Sequence, residues 1–290
     1  MRARSTLAEE LVGLVASDSC GRYLPRLCSP RFLDKAAGLL AASRRPVIVT
    51  GFYVPSVQAP ETDGPPGAAV LARALSLTDR MVHVVTDQWN VAAVAACCSV
   101  MGLEEPVIAG GPAGIMALEP DLLIFIERLG HAGDGRYYNM RGEDISEWTS
   151  PLDGAADMAM ERGIPVIAVG DGGNEAGMAC LAPEKDDSLA CFRECLSSVG
   201  ATVALPVDVS NWGGYALACM LSVMEGRWLG HSPEEERAMV AAMVEAGAVD
   251  GVSGRKELSV DGLEISEHME VVGKLRNIFD AIVKKENHKN

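Results

Sequence analysis

Five short apolar runs, rich in β-branched residues, recur along this chain, and each leads into a polar loop. They are Pro46-Val-Ile-Val-Thr50, Val82-His-Val-Val-Thr86, Leu122-Leu-Ile-Phe-Ile126, Ile164-Pro-Val-Ile-Ala-Val169 and Thr202-Val-Ala-Leu205. A run without apolar–polar alternation suits a strand buried on both faces, and strands separated by helices must pair in parallel. Helices are expected near 68–75, 90–101, 152–162, 187–199 and 213–225, with one more ahead of the first strand. The expected fold class is therefore α/β, a mainly parallel sheet with helices on both faces, of doubly wound type. From Ser232 the pattern turns helical, because Pro233-Glu-Glu-Glu-Arg237 puts acids in a first turn where the macrodipole favours them. A single domain over 1–290 is expected, with 232–290 as a C-terminal helical cap or a small subdomain.

Composition narrows the function. Hydrophobic residues at 48% against 22% charged residues suit a chain with a sizeable core. The 25 Lys and Arg against 40 Asp and Glu give a formal net charge of −15, which repels phosphate backbones and anionic lipid, so neither nucleic acid nor membrane is an expected partner. Glu9 and Glu10 interrupt the first apolar run, so no export signal is expected and the cytoplasm is the expected compartment. The eight cysteines lack C-x-x-C spacing and read as reduced core thiols. Cys191 and Cys195 would share one helix face, more in keeping with core than with a metal site. The apolar content is compatible with a homo-oligomer.

In an open parallel sheet, ligands bind beyond the carboxyl ends of the strands. Every expected strand here is followed there by an acid: Glu61 and Asp63, then Asp87, Glu127, Asp171 with Glu175, and Asp208. Surface solvation explains any one of them. As a set they point to a cation, since converging carboxylates repel unless a positive charge or shared protons offset them. A hard divalent ion, Mg²⁺ or Mn²⁺, suits such oxygen ligands.

The sharpest local motif is Val169-Gly-Asp-Gly-Gly-Asn-Glu-Ala-Gly-Met178, whose glycines permit close backbone approach. Its amides can cradle an anion while Asp171 and Glu175 hold a cation or move protons; a tight structural turn is the alternative. Glu175 stands where a dinucleotide fingerprint needs glycine, and Walker A, G-x-S-x-G and H-E-x-x-H patterns are absent. Neither NAD nor PLP is expected. His83 reads as a core histidine, and His131 lies in a Gly-rich loop. Arg136 and Arg141, in a loop that mixes cations with aromatics, can grip a carboxylate, or can simply form surface ion pairs.

Taken in order, Thr50-Gly-Phe52, Glu61-Thr-Asp-Gly-Pro-Pro-Gly67, Tyr138-Asn-Met-Arg-Gly142, Gly170-Asp-Gly-Gly-Asn-Glu175, Ser210-Asn-Trp-Gly-Gly-Tyr215 and Asp250-Gly-Val-Ser-Gly254 resemble the D-glutamate cyclase family, in its C-terminal cyclase-like domain. The resemblance implies a hydro-lyase that cyclises D-glutamate to 5-oxo-D-proline with loss of water. Tested against that chemistry, the residues expected as cation ligands are Asp63, Glu127 and Asp171, and catalytic work is expected of Glu175, Asp171 and Glu127, with Glu175 the leading general base. Substrate contacts are expected from Gly51, Thr62, Gly64, Asn139, Asn174 and Asn211, from the amides of Gly172 and Gly173 at a developing oxyanion, and from Arg136, Arg141 or Arg255 at the substrate carboxylates. The sequence does not separate ligand from base. A metal-dependent phosphatase and a non-enzymatic protein that binds an acidic amino acid are the competing readings.

Overall fold

A computed structural model describes residues 2–19, 21–182 and 187–287. Two helices come first, α1 (Arg2–Val15) and α2 (Pro30–Ala42), where one was expected. Then follow β1 (Pro46–Thr50), a small hairpin of β2 (Tyr53–Val54) and β3 (Ala59–Pro60), and α3 (Pro65–Ser76). The chain continues through β4 (His83–Thr86), α4 (Val91–Val100), β5 (Val107–Ile108), α5 (Pro112–Met116), β6 (Leu122–Ile126), α6 (Gly154–Glu161) and β7 (Val166–Gly170). It ends with β8 (Val203–Pro206), α7 (Ser210–Glu225), α8 (Pro233–Glu245), a second hairpin of β9 (Ser259–Val260) and β10 (Leu263–Glu264), and α9 (Ile265–Asn287).

The main sheet runs β5-β4-β1-β6-β7-β8, parallel at every pairing. The chain thus builds outward from β1 in one direction, returns to β6 on the other side of β1, and builds outward again. The strand order reverses between β1 and β6, and the loops that leave these two strands diverge there to open a crevice.

Both faces of the sheet are covered. Ile48, Ile124, Ile126 and Ile167 join a core with α3, α4 and α7, and Met239, Val240, Met243, Val271, Val272 and Leu275 of α8 and α9 belong to that same core. Val47, Val49, Leu123 and Phe125 point to the opposite face, against Ile115 of α5 and Ala155 and Ala159 of α6. Each fully buried Val, Ile or Leu contributes roughly 1.5–3 kcal/mol, so every strand of the centre is fixed in register by both of its faces.

One expected helix is absent. Residues 187–199 form a short 3-10 turn, Asp187–Phe192, and then irregular chain. The backbone there is committed elsewhere: Ser197 N donates to Gly173 O, Ser198 N to His131 O, and Val199 O accepts from Gly177 N. Holding the Gly-rich loop and the His131 loop takes the donors that a helix would have used. Cys195 is buried, and the side chain of Cys191 lies outside the described residues.

Candidate active site

Immediately after β6 the chain turns through Glu127, which is buried and takes a left-handed conformation at φ 45°. For a residue with a Cβ this is strained backbone, held by Gly51 N donating to Glu127 O and by Glu127 N donating to Val169 O. The turn leaves the Glu127 carboxylate at the crevice, where Ser210 Oγ donates to Oε2 at 2.6 Å. Gly64 packs against it so closely that a Cβ there would lie 2.7 Å from Glu127 Cβ and 2.8 Å from Thr50 Oγ1, at a φ of 98°. Only glycine fits.

Asp63 reaches the same point from the β3–α3 connection. Its Oδ1 accepts from Asn211 N at 2.8 Å and Gly64 N at 2.9 Å, and its Oδ2 from Ser210 N at 2.9 Å. A carboxylate from a distant loop thereby caps the start of α7, where amides without helical partners and the macrodipole both favour an anion. Asp171, one residue past β7, completes the group: oxygens of Asp63, Glu127 and Asp171 all lie within 4.8 Å of one another. Burial above all holds the pKa of each of the three well above the usual carboxylate range, and neighbouring acids add to it. Glu61 is raised for the same reasons.

The triad adjoins a cavity of about 380 Å³. Its wall carries the acids Glu61, Glu127, Asp171 and Asp261, the arginines Arg22 and Arg141, and the apolar side chains of Phe52, Val54, Met140 and Phe192. Arg22 is the counter-charge to these acids. Its Nη1 pairs with Asp171 Oδ2, and its Nη2 lies 3.1 Å from Asp261 Oδ1. The Asp171 charge, more than any other, raises the Arg22 pKa. Arg141, also in the wall, has no carboxylate partner among the described residues, and its Nη2 donates to Val252 O at 3.3 Å.

The remaining strand-end acids do other work. Asp87 forms a buried pair with Arg128 at 2.8 Å. Asp208 accepts from Ser17 Oγ at 2.9 Å, Asp18 N at 2.8 Å and Ser19 Oγ at 2.8 Å, and so anchors the segment that delivers Arg22. Glu175 is buried, and its carboxylate accepts from the amides of Asp171 at 2.9 Å, Gly172 at 2.7 Å and Gly173 at 2.7 Å. The loop therefore wraps its own carboxylate. The Gly172 and Gly173 amides, expected at an oxyanion, are committed to Glu175, and Glu175, expected as general base, is committed to them.

Several other expected contacts hold the site from behind. Thr62 Oγ1 donates to Ser259 O at 2.9 Å, and Asn211 Oδ1 accepts from Gly64 N and Gly67 N at 2.9 Å each. Gly51 O accepts from Arg128 Nη1 at 3.0 Å. Asn139 and Asn174 lie in the cavity wall, but their side-chain amides serve the 138–143 loop, donating to Glu143 Oε2 at 2.6 Å and Tyr138 O at 2.9 Å. Arg136 and Arg255 are exposed and away from the wall, facing Asp144 at 3.5 Å and Glu257 at 3.1 Å. His131 pairs with Asp153 at 2.7 Å, and His83 is half-buried.

Arg22 and Asp261 are the site residues that the sequence reading missed. Arg22 precedes every strand and sits in irregular chain, where nothing in the sequence marks it. Asp261-Gly262 carried a signal, since Asp-Gly between Val260 and Leu263 is a favoured two-residue hairpin turn.

Fold and site together define an α/β protein with an acidic, oxygen-lined cavity at the switch point of a doubly wound sheet. The chain belongs to the D-glutamate cyclase-like, C-terminal family, whose model matches residues 11–276. It is 30% identical over 326 aligned positions to the mitochondrial D-glutamate cyclase of Homo sapiens, a match that covers 94% of this chain and 52% of the relative. The chain thus spans about half the length of that relative. Among solved structures it is similar to an exopolyphosphatase-related protein from Bacteroides fragilis, at 12% identity and a TM-score of 0.44, covering 89% of this chain and 60% of that one. It is also similar to RecJ in complex with Mn²⁺ from Thermus thermophilus, at 12% identity and a TM-score of 0.35, covering 87% and 38%. No helix among the described residues is long and apolar enough to cross a membrane.

Proposed function

We propose that this chain is a hydro-lyase that cyclises D-glutamate to 5-oxo-D-proline, with a divalent cation of the Mg²⁺ or Mn²⁺ type held by Asp63, Glu127 and Asp171. Beside the family membership, one observation carries the reading: the charges of the cavity wall divide between a group of buried acids and an arginine, Arg141, without an acid partner among the described residues. A ligand with two carboxylates and an amine matches that division. The donor set is all hard oxygen, which suits Mg²⁺ or Mn²⁺ better than a metal that prefers nitrogen or sulfur. A cation there would offset the repulsion between acids and ligand and polarise the carboxyl that is attacked.

The chain's own residues supply the rest. Arg141 holds the carboxylate that does not react, by charge-assisted hydrogen bonds that fix the substrate's orientation. Phe52, Met140 and Phe192 exclude water from around the folded substrate, which must bring its nitrogen onto its own side-chain carboxyl. In the net reaction the ammonium gives up two protons and the departing oxygen receives two, so the site has to move protons without consuming any. Glu175 and its three amide donors keep the Asp171 loop in shape.

The test is direct. Metal-stripped protein is given D-glutamate, L-glutamate or a simple phosphate ester, with and without Mn²⁺, and 5-oxoproline and phosphate are measured separately. Cation-dependent 5-oxoproline from the D-isomer is the expected outcome. Phosphate release alone, or no product from any substrate, overturns the proposal.

A further inference from the structure

The turn that joins β9 to β10 has two residues, Asp261 and Gly262, both at positive φ, 55° and 77°. Such a turn matches the twist of the strands it joins and fixes the direction of its first side chain. Gly262 N donates to Asp250 Oδ2 at 2.7 Å and pins the turn, while Asp261 lines the cavity. The Asp261 side chain is 8% exposed. One of its oxygens, Oδ1, faces Arg22 Nη2 at 3.1 Å. The other, Oδ2, is buried and meets no hydrogen-bond donor among the described residues.

A buried carboxylate oxygen without a donor is costly, and the described residues supply none. Asp261 also stands outside the set of oxygens that come within 4.8 Å of one another, so a cation on that set does not meet this demand. Asp261 lines the cavity, so a ligand there, met by rotation of the carboxylate, is what can supply the missing donor. Of the groups on an amino acid, the ammonium alone brings both positive charge and several N–H donors.

We infer that Asp261 receives the substrate's ammonium, binding it while charged and then accepting the proton that must leave nitrogen before it attacks. This assignment rests on the cyclase reading above. The step balances: a proton passes from the ammonium to the Asp261 carboxylate, and the freed nitrogen lone pair forms a bond to the side-chain carboxyl carbon. The C–O bond then breaks, and the oxygen leaves as water, carrying the proton returned by Asp261 and the second proton shed by nitrogen. Asp261 ends as it began. With Arg141 on the carboxylate that does not react and the triad at the carboxyl that does, the substrate is held at three points, the minimum needed to tell D from L.

The test separates the ammonium from the carboxylates. Asp261→Asn keeps the shape and suits a turn residue at positive φ, so the fold should persist. Calorimetry then compares glutarate, which has both carboxylates and no amine, with D-homocysteate, the sulfonate analogue of D-glutamate, which keeps the amine but cannot cyclise. Asp261→Asn is expected to weaken D-homocysteate by about tenfold or more and to leave glutarate unchanged or tighter, and to lower kcat for D-glutamate by at least about 100-fold. Equal weakening of both ligands, or of neither, overturns the assignment. So does the same selective loss in Arg22→Gln, since Asp261 would then act only by holding that arginine. Wild-type protein that makes no 5-oxoproline sinks the cyclase reading and this inference with it; wild-type protein that cyclises D-glutamate while Asp261→Asn shows no selective loss sinks this inference alone.

Discussion

Replacing Glu175 with glutamine separates two roles for a residue at the centre of the Gly-rich loop. Two amides, of Asp171 and Gly172, donate to Oε1, and the Gly173 amide donates to Oε2. Glutamine offers one acceptor oxygen, so its best orientation keeps two bonds, now without charge assistance, and turns an NH₂ toward the third amide. Hydrogen bonds to charged groups contribute about 1.5–3 kcal/mol and neutral ones about 1, and an unsatisfied buried donor costs roughly 1–3 kcal/mol. Relief of the repulsion between Glu175 and Glu127 returns part of this. The side chain has no room to rearrange, because a Cβ on Gly170 would already lie 2.6 Å from Glu175 Cδ. A net loss of about 2–4 kcal/mol follows, which for a chain of this size lowers Tm by about 4–8 °C. Thermal unfolding measures it directly, and hydrogen exchange at the amides of 171–173 should quicken. Turnover is expected to fall as well, through the displaced Asp171. Were Glu175 the general base, Glu175→Gln would lower kcat by about 10²–10⁴-fold with the fold intact, so an unchanged Tm refutes the argument.

Two further outcomes follow. Arg141→Gln removes the cavity's arginine that lacks an acid partner, and is expected to raise KM for D-glutamate by about 10–100-fold, the equivalent of one charge-assisted contact of about 1.5–3 kcal/mol, with little change in Tm; an unaltered KM would show that the carboxylate binds elsewhere. The second outcome concerns pH. Burial raises Glu61, Asp63, Glu127 and Asp171 above their unfolded values, so their contribution to stability is complete below the ordinary carboxylate range near pH 4 and is lost as pH rises through the folded values. A divalent cation needs the same carboxylates deprotonated and takes the place of the protons. The Tm gained on adding Mn²⁺ should therefore grow between about pH 5 and about pH 8, and a gain that stays constant over that range would show that these acids do not hold the ion.

Much of the sheet was legible because its strands are buried on both faces. Pro46–Thr50 and Leu122–Ile126 appear in the structure with the bounds their apolar runs suggested, and β4 and β8 shift by one residue at most. The two-residue strands were not legible, since a pair of residues carries no period, and of the hairpins only the Asp261-Gly262 turn carried a signal. Residues 187–199 show local composition overruled by distant carbonyls that needed donors. The site was legible only in part, for a related reason. Asp63, Asp87, Glu127, Asp171 and Asp208 all follow apolar strands, and nothing local tells them apart.

Strand order makes the distinction. β1, β6 and β7 are neighbours at the middle of the sheet, while β4 and β8 flank them. Adjacent strands lie about 4.8 Å apart, so acids on the connections that follow three neighbouring strands can meet over the middle one. Asp63, Glu127 and Asp171 do so over β6, the strand beside the reversal, and Glu127 at its end takes the strained conformation. Asp87 and Asp208 start one strand further out on either side. Each has been given a structural partner instead: Arg128 on one flank, and the segment ahead of Arg22 on the other. The flanking acids still serve the centre indirectly, since Arg128 also donates to the carbonyl of Gly51, at the end of β1, and Asp208 steadies the chain that carries Arg22 to Asp171 and Asp261. The same feature, an acid after a strand, thus becomes site or support according to how far its strand lies from the switch point, a quantity that belongs to the assembled sheet.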